Sequence, residues 1–434
     1  AFDARVDNHA GTPPHSAIRF LLSSAATKQR GEWRHVAIHD ITCAFLHASM
    51  KGEPPVFLVL PAGMGPPGMR GHLRVALYGT RRASFIWGEK VATVFSGEGF
   101  LRAKTCGQVF WHPTRNLEST IHGDDLLTVG SEKELAWFDS TVNKHFSVKE
   151  ATVLGEGPKH VLRASFLNRT IALVPGKGVT YTPNPKHIDE VVQELGLTDA
   201  KPVAAPAIQH TGPSMRESAD ELEPTEAALY ARCTGKLVYF SADRLESAFV
   251  VRLLAQDLKT PTKLSMLRLR HLAKFLKGTR EWCWCYKYQE ETTELVGFSD
   301  SDWAACPKTR RSVSCGCIFR GAHYIDGWVS GQRFVALSSG EAEFYALGRL
   351  FAGMLFLKWL SQELGTDMQL RARSDSSAAR GIAARTGAGA VKHLEVRWLW
   401  IQEKVRAKQV SIEKVRGIVT VSYTHLTLPT NREV

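Results

Sequence analysis

Ile121-His-Gly-Asp-Asp-Leu-Leu127 sets two adjacent aspartates between apolar flanks. Glycine and aspartate favour a tight turn, so the stretch reads as a β-hairpin with Asp124 and Asp125 at its tip. Upstream, Val36-Ala-Ile-His-Asp40 reads as a short strand ending in an acid, followed by Ile41-Thr-Cys-Ala-Phe-Leu46. Downstream, Ser131-Glu-Lys-Glu134 predicts a capping box for a helix with Leu135, Phe138, Val142 and Phe146 turned inward. Acids at a strand end and a hairpin tip can converge from distant sequence, and converging carboxylates repel unless divalent cations sit between them. Two Mg²⁺ ions about 3.5–4 Å apart would then stabilise the attacking and leaving oxygens of a phosphoryl transfer. The competing reading is a solvated Asp-Asp turn.

A second acid series follows. Leu295-Val-Gly-Phe-Ser-Asp-Ser-Asp-Trp303 alternates as a strand, Ala336-Leu-Ser-Ser-Gly-Glu-Ala-Glu-Phe-Tyr-Ala346 opens a helix with Ser338 or Ser339 as cap, and Leu370-Arg-Ala-Arg-Ser-Asp375 is a strand ending in an acid. Asp300, Glu343 and Asp375, from strand, helix and strand, suit a second two-metal centre, one that cuts a phosphodiester; Asp302 and Glu341 are the alternates. The competing reading leaves these acids on a solvated strand edge and helix face.

The 434 residues, 44% hydrophobic and 23% charged, have a globular composition that excludes wholesale disorder, collagen and coiled coil and allows roughly three domains. Lys+Arg 55 against Asp+Glu 43 gives a net charge of +12, which suggests a polyanionic partner or serves solubility alone. No apolar run approaches the length of a membrane span. The chain begins at Ala1 without a signal-peptide pattern, which reads as a processed or partial chain. Eight cysteines lack disulfide-framework spacing and are expected reduced, in an intracellular protein; Cys283-Trp-Cys285 and Cys315-Gly-Cys317 fit strand alternation better than zinc.

Glycine and proline punctuation divides the chain at 1–150, 151–293 and 294–420, the middle part holding a helix over 185–195, a linker over 200–223 and helices over 225–280. Thr262 caps a helix whose Leu264, Leu267, Leu272, Phe275 and Leu276 face inward, ending at Gly278. Lys263, Arg270, Lys274 and Lys277 share one face of it, suited either to duplex phosphates or to water. Trp87, Trp282 and Trp284 read as core. Val421-Ser-Tyr-Thr-His-Leu-Thr-Leu-Pro-Thr430 looks like a translated library adapter, so residues 421–434 are set aside and the natural end is expected near Thr420.

Asp40-Ile-Thr-Cys-Ala-Phe-Leu46 resembles the first polymerase motif of Ty1/copia-type retrotransposon reverse transcriptases. Leu77-Tyr-Gly-Thr-Arg-Arg82 with Trp87, Gly123-Asp-Asp125, the connecting segments at Tyr230–Gly235, Pro261-Thr-Lys263 and Leu276-Lys-Gly-Thr279, and the ribonuclease H-like Ser299–Trp303 and Glu341–Phe344 extend the likeness from about Ile18 to Val405. The resemblance implies an α+β, α/β multidomain chain: a ferredoxin-like palm, a helical thumb and connection, then a ribonuclease H-like α/β domain. It implies Mg²⁺ or Mn²⁺ on Asp40 and Asp124 with Asp125 beside them, Phe45 excluding a 2′-hydroxyl, and Arg82 near the incoming nucleotide where the family has Gln. It also implies metal on Asp300, Glu343 and Asp375; an RNA template, DNA primer, dNTPs and RNA–DNA hybrid as partners; and an intracellular location in a cytoplasmic virus-like particle or the nucleus.

Departures accompany it: His122-Gly123 replaces Tyr-Val, the fingers would precede Ala1, and the family's later acid, in a Gln-x-Ala-Asp segment beyond the motif matched by Lys392-His393-Leu-Glu-Val-Arg397, has no counterpart. Crippled cleavage is therefore expected. His393 reads as structural or as a substrate contact. The alternative is a degenerate retroelement piece that binds nucleic acid and turns over nothing.

Overall fold

β1 (His35–Ile41) turns Val36 and Ile38 to one side and Ala37 and Ile41 to the other, and all four are buried, as a central strand covered on both faces requires. The computed structural model describes residues 11–208, 220–306, 309–387, 389, 394 and 396–416. Around β1, α1 (His15–Ala25) precedes a 3₁₀ turn (Ala44–His47), a small hairpin of β2 (Phe57–Val59) and β3 (Arg70–His72), α2 (Ala83–Gly97), β4 (Leu101–Arg102), β5 (Val109–His112), β6 (Leu117–His122), β7 (Asp125–Gly130), α3 (Glu132–His145) and β8 (Val148–Leu154). The main sheet runs β4-β5-β6-β7-β1-β8 and is antiparallel throughout. Trp87, Val91 and Phe95 of α2 and Leu135, Phe138 and Val142 of α3 cover one face, while Phe20, Leu21 and Leu22 of α1 cover the other.

Two sequence expectations change here. Ser131 stands at the N-cap of α3 but its side chain makes no capping bond, and Glu134 instead pairs with Arg115 at 2.6 Å. The division at 150 also falls inside β8, which pairs with β1 from Val148 to Leu154.

A second sheet, ordered β12-β11-β10-β9, is built from β9 (Arg163–Phe166), β10 (Arg169–Val174), β11 (Gly178–Pro183) and β12 (Trp284–Lys287). Between its last two strands in sequence come α4 (Lys186–Glu194), α5 (Pro224–Phe240), α6 (Leu245–Gln256) and α7 (Lys263–Gly278), packed through Val191, Tyr230, Leu237, Leu254 and Leu272. Thr262 caps α7 as expected, in a reciprocal box with Ser265. Leu267, expected inside, is 39% exposed, and Leu269 fills the core instead.

The third sheet runs β15-β14-β13-β16-β17, from β13 (Glu294–Asp302), β14 (Val313–Arg320), β15 (His323–Gly331), β16 (Gln369–Ser374) and β17 (Val410–Lys414). β13, β14 and β15 form an antiparallel meander, and β16 and β17 lie parallel to β13. α8 (Ser339–Glu363) is apolar nearly all round and is buried accordingly, with α9 (Ser377–Ala384) and α10 (Trp400–Arg406) beyond it. Together the sheets make a mixed α+β chain. Among the described residues no helix is long and apolar enough to cross a membrane.

α1, packed on the first sheet by its apolar residues, reaches the other two sheets through buried polar contacts. Arg19 donates to the Ala242 carbonyl (2.7 Å) and Asp243 (3.2 Å), and Asp243 also accepts from Arg169 (3.0 Å) of β10. Ser24 accepts from Arg320 of β14 at 2.8 Å, and Ser23 meets His323 of β15 at 2.9 Å. Burial holds the His323 imidazole neutral, down to about 4, and does the same to His15 on α1. An unfolded histidine takes up its proton near 6.5, so acidification from about 6.5 toward 4 protonates the unfolded chain first and destabilises the fold. Tm is expected to fall through that window, and less steeply in His323→Gln; identical slopes would remove His323 from the account.

Candidate acidic centres

The antiparallel register of β1 and β7 sets Asp40 directly opposite Asp125. β6 and β7 are joined by only Gly123 and Asp124, with the positive φ (62°) on Gly123, the first loop position, as a II′ hairpin requires. Asp125 is therefore not at the tip: it is the first residue of β7, paired with His122. Bonds to main-chain carbonyls fix the turn, from the Ile41 N–H to the Asp124 carbonyl (3.0 Å) and from the Trp87 indole to the Gly123 carbonyl (2.8 Å). Trp87 is thus a core residue with a second role in holding the acid loop.

Burial first, then the charges of Asp40 and Asp124, push the Asp125 carboxyl above the usual carboxylate range. Two neighbours escaped the sequence reading. Tyr78 donates to Asp124 Oδ2 at 3.1 Å, and Lys149 donates to Asp40 Oδ2 at 3.2 Å. Tyr78 lies within the quoted Leu77–Arg82 motif; Lys149 carries no local signal, because only the pairing of β8 with β1 brings it close. Phe45, in the 3₁₀ turn, stacks on Tyr78 with ring centroids 4.3 Å apart. Arg82 is tied to Glu53 at 2.8 Å and lies over the Phe85 ring.

In the second centre, Asp300 lies near the end of β13, Glu343 in the first turns of α8 and Asp375 immediately beyond β16. One oxygen of each lies within 4.8 Å of the others, the single such group of three or more among the described residues. Ser338 starts α8 by accepting from the Glu341 N–H. Glu343 Oε1 accepts from the Ser301 N–H at 3.0 Å, while its Oε2 is buried without a hydrogen-bond partner. Burial, the Asp300 charge and a hydrogen bond with Asp300 push the Glu343 carboxyl up to about 9. Asp375 is raised by burial and by Asp300.

Three hard oxygen donors with one orphaned buried oxygen fit a divalent cation. The alternates sit otherwise. Glu341 accepts from the Leu337 N–H (2.8 Å) and the Tyr345 hydroxyl (2.6 Å), pinning the helix start, and Asp302 is exposed at the strand end, outside the group. Gln332, unmarked in sequence, ties the end of β15 to Ser314 and to the Ala342 carbonyl of α8, each at 2.8 Å. Lys392 and His393 lie outside the described residues.

The α7 cations do not form the uniform phosphate-facing row that their spacing suggests. Arg270 donates to the Leu195 carbonyl at 2.8 Å, and Lys277 donates to the Ala200 carbonyl at 2.9 Å and also to Thr198. Both therefore serve carbonyls at and beyond the C-terminus of α4, where orphan acceptors and the helix dipole favour cations. Lys263 meets Asp220 at 3.2 Å, and Lys274 is half-buried on the helix.

Residues 9–209 match the family model described as reverse transcriptase (RNA-dependent DNA polymerase). The chain is 26% identical over 414 residues to the retrovirus-related Pol polyprotein from transposon TNT 1-94 of Nicotiana tabacum, covering 92% of this chain and 30% of that protein. It is 25% identical over 359 residues to the corresponding polyprotein from transposon RE2 of Arabidopsis thaliana, covering 81% of this chain and 23% of that protein. The chain thus spans less than a third of the length of these two relatives. Among solved structures, ribonuclease H1 from the archaeon Halobacterium salinarum aligns with 30% of this chain and 94% of its own, at 12% identity and a TM-score of 0.22.

Proposed function

The chain belongs to the Pol polyproteins of copia-type retrotransposons, and from that premise we propose that it carries an RNA-directed DNA polymerase centre and a ribonuclease H centre. The observation that carries the proposal is the register of Asp40 against Asp125, one residue from Asp124, inside the segment that matches the reverse transcriptase family. On this reading the first sheet with α2 and α3 is the palm, the helices α4–α7 serve as thumb and connection, and the third sheet with α8 is the nuclease. The nuclease half rests on the Asp300, Glu343 and Asp375 group and on relatives that match this chain across both halves.

Asp40 and Asp124 would hold Mg²⁺ or Mn²⁺ in the polymerase, and Asp300, Glu343 and Asp375 would hold it in the nuclease. Such ions supply Lewis-acid stabilisation of the oxygens that gain charge during phosphoryl transfer. The protein's own part is placement. The β1–β7 register and the Trp87 and Ile41 bonds fix the first pair of acids. Ser338, Glu341 and the Ser301 N–H fix Glu343. Substrates on this reading are an RNA template, a DNA primer, dNTPs and the resulting RNA–DNA hybrid, in an intracellular particle.

The test is extension of a DNA primer on an RNA template, and release of RNA fragments from a hybrid, by this chain with Mg²⁺ or Mn²⁺. Hybrid binding with neither reaction would leave the inactive alternative standing. Phe45, braced by Tyr78 beside Asp124, is the sugar gate on this reading. Phe45→Ala is expected to raise ribonucleotide incorporation relative to deoxynucleotide by about 10²-fold, the scale on which a pocket separates substrates differing by one hydroxyl. Steady-state incorporation ratios check it, and an unchanged ratio would place Phe45 in the core alone.

A further inference from the structure

Five of the eight cysteines are buried and Cys43 is exposed, whereas Cys283 and Cys285 are half-buried with their sulfurs 3.6 Å apart. They flank Trp284 at the start of β12, an edge strand of the second sheet, so strand alternation sends both thiols to one face. Cys285 also lines a cleft of about 390 Å³ together with Lys177, Lys287 and Tyr288. The acid centres described above use neither cysteine.

We propose that Cys283 and Cys285 form a peroxide-responsive dithiol that closes reversibly to a disulfide. The Cys285 thiolate attacks one oxygen of a hydroperoxide, forming an S–O bond and breaking O–O, so that hydroxide or alkoxide leaves and a sulfenic acid remains. The Cys283 sulfur then attacks the Cys285 sulfur. The S–S bond forms, S–O breaks, and the Cys283 proton leaves with the hydroxyl as water. Two thiols lose two electrons in all and the hydroperoxide gains them.

Electrostatics divide the roles. The hydrogen bond between the two sulfurs and the positive charge of Lys287 outweigh burial and bring the Cys285 thiol down to about 7; the same hydrogen bond and burial push Cys283 up. Cys285 is thus the attacking sulfur and Cys283 the resolving one. Two strand residues advance about 6.6–6.8 Å, at the upper edge of the Cα separation a disulfide spans. Cys283 precedes the first residue of β12, so closure needs only a local backbone shift, and the bond is a tense, easily reduced one. The residue caught between is Trp284, which stacks on Tyr324 of β15 at 3.7 Å and donates to the Asp243 carbonyl at 2.9 Å. Closure therefore acts on a joint between the second and third sheets.

The test treats the whole chain with stoichiometric hydrogen peroxide near neutral pH. Intact mass is expected to fall by about 2 Da, peptide mapping to show a 283–285 link, and dithiothreitol to reverse both. Cys283→Ser is expected to stop at a dimedone-trappable sulfenic acid on Cys285, and Cys285→Ser to consume peroxide about tenfold more slowly. Two thiols still alkylatable after peroxide, or oxygen added to the wild-type pair without a link, would overturn the proposal.

Discussion

Glu343→Gln is expected to abolish metal-dependent cleavage of an RNA–DNA hybrid, by at least about 10³-fold, and at the same time to raise Tm in the absence of metal. Both effects have one origin. The Glu343 carboxyl is pressed against Asp300, with one oxygen bound to the Ser301 N–H and the other buried and unpartnered. Without metal its ionisation is opposed, and its folded value of about 9 lies well above the usual 4.5. The folded chain then holds a proton that the unfolded chain releases, so stability is full below about 4.5 and declines as pH rises toward about 9. At pH 7 the deficit amounts to at most about 3 kcal/mol. Glutamine mimics the protonated acid and removes that deficit, but it offers no negative oxygen to a cation. Added Mg²⁺ or Mn²⁺ stabilises the wild-type chain by binding the folded state, a gain that Glu343→Gln loses. Thermal melts at pH 6 and 8.5, with and without metal, read all of this. A variant that still gains stability from metal would show that the ligand set is misassigned.

How much of this was legible in sequence depends on the reach of each interaction. Asp40, Asp300 and Asp375 stand at or near strand ends where alternation gives way, and Ser338 and Thr262 cap helices through bonds spanning three residues. Such signals are local, and the structure brings Asp300, Glu343 and Asp375 together in the order the sequence suggests. Several misreadings are cases where tertiary packing overrides a local signal. Glu134 leaves Ser131 for Arg115, across a connection that sequence periodicity does not describe. Arg270 and Lys277 turn to carbonyls of the α4 end, whose position relative to α7 is a tertiary fact. Helical spacing alone cannot choose between Leu267 and Leu269, since neighbouring packing decides which side of α7 is inside.

The largest omission is α1. Arg19, Ser23 and Ser24 look like polar interruptions in an amphipathic helix, yet they are buried against Asp243, His323 and Arg320, more than 200 residues away. Removing one partner from such a buried pair leaves an uncompensated charge at a cost of about 3–5 kcal/mol. The polar positions of α1, the helix that covers the first sheet, are thus where it meets the third sheet, and that pairing has no periodic signature.

Asp124→Asn is expected to remove primer extension on an RNA template, by about 10³-fold or more, while hybrid cleavage by the same protein is unchanged. The substitution is close to isosteric. Asparagine keeps an oxygen to accept from Tyr78, and the turn is held by bonds to the Asp124 carbonyl and the Gly123 carbonyl that the side chain does not enter. What is lost is one negative charge next to Asp40 and Asp125, and with it the electrostatic hold on a cation that would stabilise several kcal/mol of transition-state charge. At about 1.4 kcal/mol per decade, that loss is at least three decades in rate. Asp125→Asn should cost less, about tenfold to a hundredfold, because Asp125 already begins β7 and its carboxyl is held above the ordinary range by burial and by its two acidic neighbours. Tyr78→Phe, which removes only a neutral donor, should cost still less. Extension rates measured in the order wild type, Tyr78→Phe, Asp125→Asn, Asp124→Asn should therefore fall monotonically. Equal loss in Asp124→Asn and Tyr78→Phe, or a parallel loss of hybrid cleavage, would point to a disturbed hairpin in place of a lost metal ligand.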